Sequence, residues 1–254
     1  MDLGLQDRVY LVTGASKGLG LATAKVLVEE GARVLMCARD EETLQAAAES
    51  LGGGDDVMAL PGDMTDARLG GRLVAAAQGR WGRLDGALVS VGGPPSGEAL
   101  ALDDDAWRAG FESVFLGTLR IARAVTSTLG DEGGSLAFVL SSSVKQPIPG
   151  LAASNGLRPG LAMLAKTMAD ELGPRNIRVN GLLPGRLDTD RVRELDGEGT
   201  KGRKAREESQ KRIPLGRYGD PAEFGRVAAF VLSPAASYLT GAMVPVDGGM
   251  LRTL

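Results

Sequence analysis

The chain has no histidine, one cysteine (Cys37) and three tyrosines (Tyr10, Tyr218 and Tyr238) among its 254 residues. Without histidine there is no Ser-His-Asp triad, no Cys-His pair and no His-ligated zinc. A lone cysteine excludes a disulfide framework, and its place inside an apolar run makes it a small core residue. Acid–base chemistry is left to carboxylates, lysine, tyrosine or a bound cofactor, and no metal is expected. An excess of positive charge is missing too. The 29 Lys and Arg stand against 32 Asp and Glu, a net charge of −3, which gives no surface for nucleic acid. No apolar run approaches the roughly 18 residues of a membrane span, and the start of the chain carries Asp2 and Asp7 rather than a basic, apolar leader. The expectation is a cytoplasmic protein with a small-molecule substrate and no nucleic-acid or membrane partner.

Glycine is abundant: 37 of 254 residues, about twice ordinary usage. With no collagen period, the excess belongs in turns and close backbone approaches. Short apolar runs at 9–12, 33–37, 57–60, 86–91, 136–140, 177–182 and 243–246 read as strands. Helical stretches separate them, among them one capped by Asp40 and ending near Leu51, one over 65–81, and a long one over 108–129 that follows the acids at 103–105. Continuous apolar strands alternating with helices predict a parallel sheet covered on both faces. The expected architecture is α/β: a single Rossmann-type, doubly wound domain over 1–254. One charged segment, dense in Lys, Arg and Glu over 191–212, breaks the pattern. It predicts a solvated, lid-like excursion at about 187–217.

After the first strand comes Thr13-Gly14-Ala15-Ser16-Lys17-Gly18-Leu19-Gly20, opening directly into a helix. Gly14 permits the turn, Gly18 lets backbone approach a pyrophosphate, and Gly20 allows close helix–strand packing. Free N–H groups and the helix dipole favour the phosphates. This Thr-Gly-x-x-x-Gly-x-Gly spacing resembles the short-chain dehydrogenase/reductase family, and 3-oxoacyl-carrier-protein-reductase-like members in particular. The resemblance extends through Asp63-Met64, Pro184-Gly185 and Thr189 to Leu239-Thr240-Gly241 and Val246-Asp247-Gly248-Gly249. It implies an NADP(H)- or NAD(H)-binding oxidoreductase that interconverts a carbonyl and an alcohol. It also implies a homotetramer or homodimer built through the helices near 108–129 and 159–172. The expected cofactor contacts are Gly14, Ser16, Lys17, Gly18, Leu19, Gly20, Arg39, Asp63, Met64, Ser90, Gly92, Arg158, Pro184, Gly185, Leu187 and Thr189. A carboxylate at the end of the second strand would repel a 2′-phosphate. That position holds Ala38, with Arg39 next and Lys17 in the glycine loop, so NADP(H) is favoured over NAD(H).

At the catalytic end the family resembles an Asn, a Ser and a Tyr-x-x-x-Lys pair. Mapped here, Ser141 takes the serine position, with Ser142 as a one-residue alternative. Ser154 stands for the tyrosine, Arg158 for the lysine and Val114 for the asparagine. Tyr10 and Tyr238 lie outside the site by position, and Tyr218 reaches it only from across the lid. Lys145, on the loop leaving the fifth strand, is a further candidate for protonating an alkoxide or binding an anion. Serine is a far weaker acid than tyrosine, and arginine stays charged, so the chemistry is either a variant reductase or the chain is a non-catalytic NADP(H) sensor. The residue before a proline disfavours helix, which predicts an irregular 154–158 with regular helix starting at Pro159.

Overall fold

The computed structural model describes residues 2–130 and 132–253. Seven strands, β1 (Val9–Thr13), β2 (Arg33–Cys37), β3 (Val57–Ala59), β4 (Gly86–Val89), β5 (Gly134–Val139), β6 (Ile177–Pro184) and β7 (Met243–Val246), form one sheet. Their order is β3-β2-β1-β4-β5-β6-β7, and every pairing is parallel. The expected doubly wound, Rossmann-type α/β fold is the one observed.

Period-two alternation divides the core. Val9, Leu11, Leu35 and Cys37 join a cluster under α3 (Leu69–Trp81), α5 (Gly117–Thr126) and α6 (Ala152–Leu172). Tyr10, Val12, Val34 and Met36 face the opposite cluster, under α1 (Gly18–Glu29), α2 (Glu41–Ser50) and α9 (Pro221–Leu232). Burial on both faces is why these strands read as unbroken apolar runs. At the amino-terminal edge of the sheet, the buried Arg178 of β6 donates to the carbonyls of Val231, Leu232, Ser233 and Leu239. Through the first three it satisfies carbonyls at the end of α9, which have no partner within their own helix.

Three helical expectations need correction. The predicted 65–81 helix starts only at Leu69, because Asp63 and Asp66 accept the N–H groups of Thr65 and Arg68 and hold turns there. The predicted long helix is in three parts: α4 (Asp104–Gly110), a wide π-helical stretch (Phe111–Leu116) and α5. Asp103 caps its start through the N–H of Ala106.

The predicted break at 154–158 is absent. Helix α6 runs through Pro159 without interruption. Three side chains anchor its first turns. Asn155 exchanges hydrogen bonds with the N–H and C=O of Ile148. Ser154 meets Ser143, and Arg158 donates to the Val139 carbonyl at 2.7 Å. Tertiary contacts therefore override the local preference set by the proline. The charged segment folds into α7 (Asp190–Asp196) and α8 (Gly199–Lys211).

Because an interior proline leaves a carbonyl without its N–H and crowds the preceding turn, Pro159→Ala is expected to stabilise the protein by about 1–3 kcal/mol. A urea titration measures this; an unchanged or lower midpoint would show that ring packing outweighs helix strain.

Candidate active site

The strand order reverses at β1 and β4, which opens a crevice beyond their carboxyl ends. Thr13 holds the two strands together there. Its Oγ1 donates to the Ser90 carbonyl at 2.7 Å and accepts the Ser90 N–H at 2.9 Å. The glycine loop follows at once. Gly14 has φ +61°, and a Cβ on it would lie 2.9 Å from the Ser90 oxygen. A Cβ on Gly20 would lie 2.2 Å from the Gly14 oxygen, so only glycine lets α1 start this close to β1.

The sequence-predicted cofactor residues gather along this edge. Ser16 and Leu19 are half-buried in or beside the loop, Lys17 is exposed, and Ser90 and Gly92 follow β4. Arg39 is exposed after β2, where Ala38 places no carboxylate. Asp63 accepts both the N–H and the hydroxyl of Thr65, which holds its carboxyl below the usual range; the charge of Arg39 adds to this. Met64 is half-buried beside it. Across the crevice Pro184 ends β6, and Gly185 donates to the Val246 carbonyl at 3.0 Å. Leu187 is buried and bridges to Gly219. Thr189 caps α7 through Val192 and stands over the loop, its Cγ2 3.6 Å from where a Cβ on Gly18 would be. A positive-φ glycine loop opening into a helix fits a dinucleotide.

The catalytic candidates sit along the same edge, beyond β5. Ser143 and Ser154, 4% and 6% exposed, place their hydroxyl oxygens 3.3 Å apart. Ser141 is turned to a different use. Its Oγ accepts the Ser143 N–H at 3.0 Å and caps the short turn Ser142–Val144. Ser142 is buried in that turn. Lys145 is exposed, and among the described residues its side chain makes no hydrogen bond or ion pair. Arg158 is buried. Burial first and the charge of Arg191 second bring its pKa down to about 10, so it remains cationic at neutral pH. Val114 is buried in the π-helical stretch, and its carbonyl accepts the Thr118 hydroxyl at 2.7 Å.

Each tyrosine is engaged or placed elsewhere. The Tyr10 hydroxyl donates to Leu232. The Tyr218 hydroxyl donates to Asp196 at 2.9 Å beneath the Arg206 guanidinium, and Tyr238 is fully exposed. Sequence reading missed Ser143, which lies within the serine run at 141–143 and meets Ser154 at a spacing of 11 residues rather than 13. It also missed Arg191, which nothing local distinguishes from the other arginines of its charged segment.

A glycine loop at the switch point of a parallel sheet, facing hydroxyls beyond β5, defines a nicotinamide-dinucleotide oxidoreductase. The chain belongs to the short-chain dehydrogenase/reductase family: residues 14–251 match the family model described as enoyl-(acyl carrier protein) reductase. It is 31% identical over 251 residues to the 3-oxoacyl-[acyl-carrier-protein] reductase of Thermotoga maritima, covering 97% of this chain and 99% of that one. The L-sorbose reductase of Gluconobacter frateurii, solved with NADPH and L-sorbose, superposes with a TM-score of 0.94 at 28% identity over 100% of both chains. YwfH, an NADPH-dependent reductase involved in bacilysin biosynthesis, superposes at 0.92 with 25% identity over 98% and 100% of the chains. Among the described residues no helix is long and apolar enough to cross a membrane.

Gly20→Ala is expected to force α1 away from the loop, costing about 1–3 kcal/mol of stability and weakening NADPH about tenfold or more. Thermal melts and fluorescence titration read the two effects separately; NADPH affinity unchanged in a folded variant contradicts the loop assignment.

Proposed function

We propose that this protein is an NADP(H)-dependent reductase that interconverts a carbonyl and an alcohol without a Tyr-x-x-x-Lys pair. The observation that carries the proposal is the buried Ser143–Ser154 hydroxyl pair, set along the same sheet edge as the glycine loop. When bound, the reduced nicotinamide supplies a hydride to the carbonyl carbon, and the carbonyl oxygen must then gain one proton. Ser143 and Ser154 orient that oxygen and stabilise its growing negative charge by hydrogen bonding, a contribution that is largest where water is excluded. Neither serine is acidic enough to supply the net proton alone, so water or Lys145 replenishes it. Ser141 holds the turn that aims Ser143. Arg158 adds fixed positive charge beside the site and, as the resemblance implies, a donor to the nicotinamide ribose.

Lys17 and Arg39, with Ala38 leaving the end of β2 free of negative charge, support NADP(H) over NAD(H). The α7–α8 segment serves as the lid. The exposed apolar side chains Phe111, stacked on Phe115, and Met163 lie on the helices through which a second copy would pack.

Ser154→Ala is expected to lower kcat/KM for NADPH oxidation about 100-fold with little change in NADPH affinity. Ala38→Asp is expected to reverse the preference toward NADH. A panel of ketones, aldehydes and oxoacyl thioesters checks both. Tight NADPH binding without oxidation of any member would instead support a cofactor sensor.

A further inference from the structure

Arg158 carries a buried charge that the carbonyl chemistry leaves only partly used. Its side chain is 7% exposed, and among the described residues its one hydrogen-bond partner is the Val139 carbonyl. Among the described residues no acid forms a hydrogen bond or ion pair with it, although a guanidinium presents five donors. The other buried or half-buried arginines are matched. Arg178 has its ring of carbonyls, Arg186 pairs with Asp196 at 3.1 Å, and Arg206 pairs with Asp188 at 2.9 Å. Burying a charge without a partner is expensive, and this chain does so at the edge of its cleft.

A second guanidinium faces the same region from the lid. The Nε and Nη2 atoms of Arg191 lie 3.0 and 3.1 Å from where a Cβ on Gly93 would stand, beyond the carboxyl end of β4. Its one ion pair among the described residues is with Glu194, at 3.5 Å between side chains 43% and 62% exposed. The charge of Arg191 acts on the buried Arg158, which has no acidic partner among the described residues, an arrangement that an oxyanion would stabilise.

The anion has two possible sources, the cofactor's phosphates or the substrate. The glycine loop and Lys17 hold the phosphate side at β1 and β2. Strands lie about 4.8 Å apart, so β5, where Arg158 reaches Val139, is roughly 10 Å from β1. Arg158 is one helical turn from Ser154, on the same face of α6. The charge therefore lies on the side of the paired serines rather than at the glycine loop.

We propose that Arg158 and Arg191 bind a carboxylate on the substrate, making this protein a reductase of oxo acids rather than of neutral ketones or carrier-bound thioesters. The proposal rests on the carbonyl-reductase reading above. The balanced reaction is oxo acid, NADPH and a proton giving hydroxy acid and NADP⁺, with the carboxylate unchanged.

The test uses the full chain saturated with NADP⁺, which permits binding without turnover. Calorimetry compares acetoacetate, 2-oxobutanoate and 4-oxopentanoate with their methyl esters. NADPH oxidation is then followed with the same compounds and with the N-acetylcysteamine thioester of acetoacetate. At least one acid is expected to bind about tenfold or more tighter than its ester. The exposed-site variant Arg191→Gln should remove most of that preference while leaving the NADPH dissociation constant and the melting temperature within error. Arg158→Lys, which keeps the charge and loses the fork, should retain part of it. Equal binding of acids and esters, or no binding of any acid, overturns the proposal. So does weaker NADPH binding by Arg191→Gln with acid binding intact, which would assign the pair to the cofactor's phosphates. Arginine-dependent acid binding without oxidation would leave the carboxylate site standing and remove the reductase reading. Oxidation of neutral ketones with no preference for acids would do the reverse.

Discussion

The crevice depends on one reciprocal contact, the Thr13 hydroxyl giving to and taking from the backbone of Ser90. Strands β1 and β4 are neighbours, but the chain leaves them toward opposite faces of the sheet. Backbone pairing joins them as far as Val12 and Leu88, leaving the separation beyond to be held. Thr13 fixes that separation and sets the direction in which Gly14 turns. The position of Gly20 against the Gly14 carbonyl then follows, and with it the start of α1. A side chain of one hydroxyl thus sets the geometry on which the dinucleotide end depends.

Beyond β5 the organising constraint is electrostatic. The first two turns of α6 are pinned by Ser154, Asn155 and Arg158, each bonded to the segment that ends β5 or follows it. Those contacts keep the helix regular through Pro159, and they also bury a guanidinium. The same sequence that costs helix stability therefore creates a preorganised positive charge. In and around α7, the charged residues that read as a solvated run are paired in a definite pattern. Asp196 receives Arg186 and Tyr218, while Asp188 receives Arg206 and Arg193. That pairing engages the Tyr218 hydroxyl, and burial, the largest influence, raises its phenol pKa.

The fold and the dinucleotide end were legible in the sequence because both rest on local patterns. Apolar runs at 33–37 and 243–246 coincide with β2 and β7, and Asp40 caps α2 through Thr43 as its position implied. The glycine spacing carried its meaning without tertiary knowledge, since each glycine answers to a contact within a few residues or on the adjoining strand. The catalytic end was less legible. Counting from the family pattern selected Ser141, whereas the hydroxyl that meets Ser154 belongs to Ser143. A short turn rotates successive serines in different directions, and spacing alone does not record that rotation.

Sequence by itself determined the parallel α/β architecture, the glycine turn that opens α1 and the lack of any histidine for catalysis. These follow from residue type, period and count. Tertiary structure alone decided that α6 continues through Pro159, that Ser143 and Ser154 are partners, and that Arg158 is buried with the charge of Arg191, from another element, acting on it. Each depends on long-range contacts whose energies exceed the local preferences they override. Local preference is all that a stretch of sequence expresses before the sheet brings its distant ends together.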